Sequence, residues 1–331
     1  MASKVVKGLA IGVVVATLPV LFTKANQMRA RRMPDAFEAI ERVYHSRFGD
    51  IHYIRKGAGD SLVFIHGLEP GTSSYEWRAN FAPLTEHFRV FNLDLLGYGN
   101  SEKPALSYTT DLFSDMLIGF IEDVVKDYAN VVVSPASIPF VLQALEKKPV
   151  LFQKVCLISP LMDKHAGERL PFTGKLSEKI LNLPVIGNTM YHLSTQKPAL
   201  KKQLQSKYHR DIVNREMQDR AFHSSLSGGP NAYKAPMAYR SGKLKENYES
   251  ILHSIQHPLL LVTGEYSSVP ANRYKDFSFA DRQSQAITLE KCGSHPHEEC
   301  PGEFNSWLVQ EFSGLRDLHV KDISSGMHAR A

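Results

Sequence analysis

Cysteine is scarce in this chain of 331 residues: Cys156, Cys292 and Cys300 are the whole set, and their spacing fits neither a CxxC site nor the paired framework of a small secreted domain. That excludes a disulfide scaffold and points to a reducing compartment. Acidic residues are absent from positions 1–32, which carry six cations, Lys4, Lys7, Lys24, Arg29, Arg31 and Arg32. Helix-turn-helix, zinc-finger and aromatic-studded RNA-binding signatures are also absent, so the basic stretches do not imply a nucleic-acid partner. An apolar run of full membrane-spanning length is only just missing. GLAIGVVVATLPVLFT, residues 8–23, holds 16 uncharged residues and as a helix would span about 24 Å, short of the roughly 30 Å hydrocarbon core. Val5, Val6 and snorkelling lysines at both ends extend it.

The run reads as a single membrane anchor, with a membrane as the expected partner of residues 1–32. A cleaved signal peptide competes, but Thr23-Lys24-Ala25 is a poor cleavage site. A buried core helix is the third reading, and the flanking cations oppose it. Four cations follow the run and two precede it, which places the main domain on the cytoplasmic or equivalent side.

What is present is enough for one sizeable core: 43% of residues are hydrophobic and 22% charged, with a formal charge of +5. Residues 51–55, 62–66, 89–94, 130–134, 154–159 and 258–264 read as strands, several of them continuous apolar runs suited to a sheet covered on both faces. Leu112, Met116, Leu117, Phe120, Ile121, Val124 and Val125 recur at helical spacing between two of those strands. Such alternation predicts an α/β fold, a doubly wound, mostly parallel sheet, with ligands at the carboxyl ends of the strands. No strand is evident between Ser159 and His257. Helical stretches such as KPALKKQLQSKYHRDIVNREMQDRAF predict a helical cap over about residues 161–256, within a domain spanning residues 33–312. Residues 313–331 form a polar tail.

FIHG (64–67), YEWRANFAPLTEHFRV (75–90), DLLGYGNS (94–101) and His297 in GSHPHEECPGEFNSWL follow one another in an order that resembles the α/β-hydrolase superfamily, in particular membrane-tethered bacterial and plastid-type members. The resemblance covers about residues 48–312 except the cap. It implies an HG turn, His66-Gly67, with Leu68 donating a backbone N–H to an oxyanion and Ala136 lining the same cleft. It also implies a nucleophilic serine at the centre of G-x-S-x-G, on a strained turn after a strand. Here Val133-Ser134-Pro135-Ala136-Ser137 falls on that motif, so the nucleophile position is Pro135, which has no hydroxyl and a φ fixed near −65°. A register shifted by two centres Ser137 instead, but without either glycine; capping the following helix is the competing role for Ser137.

The family's acid falls at Ser267, whose hydroxyl cannot stabilise an imidazolium as a carboxylate does. Asp163, at an alternative acid position, and Glu265 are the substitutes, with a salt bridge or helix cap as the rival reading of each. His297 matches the family's histidine. Its neighbours His295, Glu298 and Glu299 make a polar surface loop an equal expectation, and a metal site of His295, His297 and Glu299 is set aside for want of a distant ligand. Neither a cofactor nor a metal is called for.

These residues predict a membrane-anchored, non-catalytic protein of this fold that holds a lipid-like small molecule or a protein partner in the cleft. The alternative is a serine hydrolase acting on an ester, amide or lactone through Ser137, His297 and Asp163 or Glu265.

Overall fold

The computed structural model describes residues 36–160, 184–267 apart from Gly228, Asn247 and Gln256, and 284–313. The expected membrane anchor, Asp163 and residues 314–331 of the expected tail lie outside the described residues. Among the described residues, no helix is long and apolar enough to cross a membrane.

Eight strands form one sheet in the order β1-β2-β4-β3-β5-β6-β7-β8. They are β1 (Ile40–Ser46), β2 (Gly49–Lys56), β3 (Ser61–Ile65), β4 (Arg89–Leu93), β5 (Ala129–Val133), β6 (Phe152–Ile158), β7 (Leu259–Gly264) and β8 (Gln285–Leu289). β2 runs antiparallel to both β1 and β4, and every other pairing is parallel. Because successive side chains point to opposite faces, the apolar runs serve two cores at once. Val63, Ile65, Val131 and Val133 face one layer, and Leu62, Phe64 and Val132 face the other. This explains why β3, β5 and β7 are buried at every position.

Helix α1 (Thr110–Phe120) starts where the Thr109 side chain accepts the Leu112 N–H at 3.2 Å. It packs Phe113, Met116, Leu117 and Phe120 onto the first layer with α2 (Ile138–Lys147). The first layer thus rests on the helix that the apolar spacing singles out and on the helix that follows β5. α8 (Pro301–Ser313) closes the opposite layer through Phe304, Leu308 and Phe312. All three cysteines are buried and unpaired, so none contributes a covalent staple.

The described part of the cap is helical: α3 (Pro184–Ser194), α4 (Lys197–Lys207), α5 (Arg215–Leu226), α6 (Lys234–Arg240) and α7 (Glu249–Ser254). Residues 197–222, read from the sequence as one helical stretch, are two helices with a break at 208–214 that no Gly or Pro marks. The cause is tertiary. The backbone N–H groups of His209 and Arg210 are given to Glu299 Oε2 at 3.0 and 2.8 Å, and Asn214 restarts the helix by accepting the Met217 N–H at 2.9 Å.

Candidate functional site

The ends of β3, β5, β7 and β8 converge under the cap, as the carboxyl ends of a parallel sheet should. β5 turns into α2 through a short 3-10 turn, Pro135–Ser137. Ser134 sits at φ −67°, ψ 150°, Ser137 at φ −100°, and no residue from Ser134 to Ile138 has positive φ. The corner that would lift a side chain into the cleft is therefore relaxed backbone. A left-handed residue does occur one strand over, at Ser159, with φ 40°. Pro139 lies in the first turn of α2, where its missing N–H costs nothing.

Ser137 neither caps α2 nor faces the cleft. Its hydroxyl is fully buried and donates to the His66 carbonyl oxygen at 2.6 Å, and it makes no capping bond. It ties the β5–α2 corner to the HG turn. His66 accepts the Leu95 N–H on Nε2 at 2.9 Å and holds the Gly67 carbonyl at 2.6 Å through Nδ1. Burial lowers its pKa, so the neutral ring fastens β3 to the turn after β4. Leu68 offers its carbonyl to Tyr98 Oη at 2.8 Å. Ala136 is buried in the first layer.

His297 is not on a surface loop. It is completely buried, with its ring 4.7 Å from Trp77, which in turn stacks on Phe64 at 4.5 Å. Asn80 Nδ2 donates to its carbonyl at 3.0 Å and to Asn305 Oδ1 at 2.8 Å. His295, Glu298 and Glu299 are buried as well. The expectation of a solvated polar loop fails because the counter-charges come from elsewhere in the chain. Ser267, expected at the acid position, pairs its hydroxyl with that of Ser294 at 3.1 Å, and His297 Nδ1 has no hydrogen-bond partner among the described residues. Glu265 is half of a turn contact, accepting the Lys291 N–H at 3.0 Å.

The partner of His297 Nε2 is Glu76 Oε1, at 3.2 Å. Glu76 lies in the short turn Ser74–Trp77, set in place because Asp94 Oδ1 accepts the Ser74 N–H at 2.7 Å. Its other oxygen accepts the Gly67 N–H at 3.1 Å and faces Lys207 Nζ at 3.4 Å. Lys207, at the end of α4, also reaches Glu298 Oε1 at 3.2 Å. Glu298 is completed by Arg78 at 2.6 Å and the Tyr208 hydroxyl at 2.8 Å. One carboxylate of the chain thus takes up the N–H of the HG turn and the outer nitrogen of the histidine, while a cap lysine bridges it to a second carboxylate. Glu76, Lys207 and Arg78 were not singled out from the sequence. YEWR carried the only local signal, an acid and a base on either side of a core tryptophan.

Burial alone would raise the Glu76 carboxyl, but Lys207 and His297 override it and hold the group well below the usual range. Burial is likewise outweighed at Glu298, where Lys207 and Arg78 bring the pKa down to about 2. Lys207 loses from burial and gains more from Glu298 and Glu76, so it stays charged. His295 is held neutral by burial and by the neighbouring Lys207 and His297. Because both carboxyls are depressed in the folded state, their contribution is fully present above pH about 4.5, their ordinary value, and is lost as the pH falls toward their folded values. The urea midpoint is expected to fall as the pH is lowered from about 4.5 toward about 2; Glu298→Gln flattens that slope, and an unchanged slope would contradict the assignment.

Glu76, His297 and Glu298 offer three ligand atoms within 4.8 Å of one another, the donor set of a small metal site. The Lys207 ammonium already bridges both carboxylates, so a protein cation stands where a metal would be needed.

A cavity of about 340 Å³ lies above this network, between the cap and the HG turn, lined by Glu69, Tyr75, Leu204, Lys207, Met217 and His295 among others. Residues 62–307 match the model of the alpha/beta hydrolase family. The chain belongs to that family. A 2-hydroxymuconate semialdehyde hydrolase from a Pseudomonas strain is 24% identical over 269 residues, 79% of this chain and 89% of that protein. A haloalkane dehalogenase from Agrobacterium fabrum is 40% identical over 84 residues, which are 22% of this chain and only 27% of that enzyme. Among solved structures, a serine hydrolase involved in carbazole degradation superposes with a TM-score of 0.66 at 20% identity, over 83% of this chain and 99% of the other. A bacterial membrane phospholipase A gives 0.67 at 19% identity, over 95% and 97%. At such identity the likeness is one of fold, within a family whose matched members here are hydrolases.

Proposed function

We propose that this chain is a non-hydrolytic member of the alpha/beta hydrolase family, tethered to a membrane through residues 1–32, that holds a small ligand in the cavity under its cap. The observation that carries this reading is the double use of Glu76. Its Oε1 engages His297 Nε2, the nitrogen that would serve a nucleophile, and its Oε2 accepts the Gly67 N–H, next to the Leu68 N–H expected to serve an oxyanion, so the histidine and the HG turn are tied to one internal carboxylate. Pro135 supplies no attacking atom, and the Ser137 hydroxyl is committed to His66. A lipid-like molecule suits a cavity whose lining is mainly apolar, and a protein partner is the other occupant such a cleft can take. The rival is a serine hydrolase working through Ser137, which the hydrolase relatives favour.

A fluorophosphonate probe separates the two. The full chain is expected to remain unlabelled and to leave p-nitrophenyl acetate and butyrate at background hydrolysis. Labelling that disappears in Ser137→Ala, or turnover abolished in His297→Ala, would establish the hydrolase instead.

A further inference from the structure

The cavity meets its charged floor unevenly. Glu76 and Glu298 keep only 2% and 1% of their side-chain surface, whereas Lys207 and Arg78 keep 13% and 20%. All four line the cavity, and the two carboxylates are less exposed there than the cations that neutralise them. Arg220 is 14% exposed, and one of its partners, Glu216, 54% exposed, stands in open solvent where screening weakens its field. Glu69 is the remaining acid of the lining; burial raises its pKa, and its Oε2 is buried without a hydrogen-bond partner, so it is held toward the neutral form. The network is neutral as a whole, yet an entering molecule meets the positive ends of its ion pairs first. At close range the nearer charge dominates, because the interaction falls as the inverse of distance.

The walls above that floor are different in kind. Tyr75, Leu204 and Met217 line the same cavity, and Tyr75 is held rigid between the guanidinium groups of Arg78 and Arg220, at 5.1 and 4.6 Å from its ring centre. A ligand fitting both parts has an anionic head and an apolar body.

We propose that the cavity is a binding site for a small monocarboxylate, its carboxylate directed to Lys207 and Arg220 and its hydrocarbon portion along Leu204 and Met217. This rests on the reading of the chain as a non-hydrolytic binder and names the chemistry of what it binds. The source of the acid, a short fatty acid or an aromatic acid, is left to the probes.

Isothermal titration calorimetry on the full chain tests it, with octanoate and phenylacetate as the two acids and phenylacetamide and phenethylamine as charge-altered isosteres of the second. One acid or both should bind with a dissociation constant of about 1 mM or tighter, and the better binder identifies the source. The amide and the amine should bind at least about tenfold more weakly than the better acid. Leu204→Trp fills the apolar wall away from the ion pairs and is expected to abolish binding while keeping the wild-type circular dichroism; Arg220→Gln should weaken it about fivefold. The proposal is overturned if neither acid binds, if the amide or amine binds as tightly as the acid, or if Leu204→Trp binds like wild type. Ester turnover would remove the non-hydrolytic reading and is measured separately, so failure of the one is not mistaken for failure of the other.

Discussion

Lys207→Met is expected to destabilise the fold by about 3–5 kcal/mol, the range for deleting one partner of a buried ion pair. The size follows from what the substitution leaves behind. Glu76 and Glu298 lose the ammonium that lies 3.4 and 3.2 Å from them, and their side chains are only 2% and 1% exposed. Glu298 keeps Arg78, but Glu76 keeps only His297 and the Gly67 N–H, so it must either protonate or remain a buried anion. Denaturant unfolding of the wild type, Lys207→Met, Glu76→Gln and the double variant checks the argument. The double variant should be more stable than the two single losses would sum to, by about 0.5–3 kcal/mol. Strict additivity would mean that Lys207 and Glu76 do not interact. Since Lys207 ends a cap helix and Tyr208, His209 and Arg210 all bond to Glu298 or Glu299, the same substitution should also loosen the cap, seen as faster amide exchange in α4 than in α1.

Gly264→Ala is expected to be nearly as damaging, at about 3 kcal/mol or more. A methyl group at this position would collide with the backbone oxygens of Gly293 and Cys292. Neither obstacle is a flexible side chain, and retreat is blocked because Gly264 is in register with Leu289 of β8. The strand end and the histidine loop can approach this closely only without a Cβ between them. Gly67→Ala makes a useful contrast. There the nearest atom is the tip of the Glu69 side chain, which can swing aside, so a loss nearer 1 kcal/mol is expected. If thermal unfolding ranked the two in the opposite order, the close packing of β7 on the loop would not be what positions His297.

Of the six strands read from the sequence, β3, β4, β5, β6 and β7 were legible because each is buried at nearly every position, and β2 because Ile51, Tyr53 and Ile54 are its buried residues. β1 and β8 were not. Both lie at the edges of the sheet, and their exposed and half-exposed positions alternate without an apolar run, so their pairing is evident only once a neighbour is in place. The break between α4 and α5 was hidden for a related reason: its determinant is Glu299, some ninety residues further along the chain. The proline at residue 135 was plain from the start, since its ring and its lack of a hydroxyl are covalent facts that no fold can change. The role of Ser137 was not, because a buried serine either caps a helix or bonds a distant carbonyl, and only the position of His66 decides between them.

The sequence by itself determined the family, six of the eight strands of its sheet and the proline at residue 135 after β5, because apolar periodicity and side-chain chemistry are local properties. Only the tertiary structure decided where the charges go. Glu76 meets Lys207 across 131 residues and His297 across 221, and a carboxylate is stable in that interior solely because folding delivers its cation and its N–H donor to the same point.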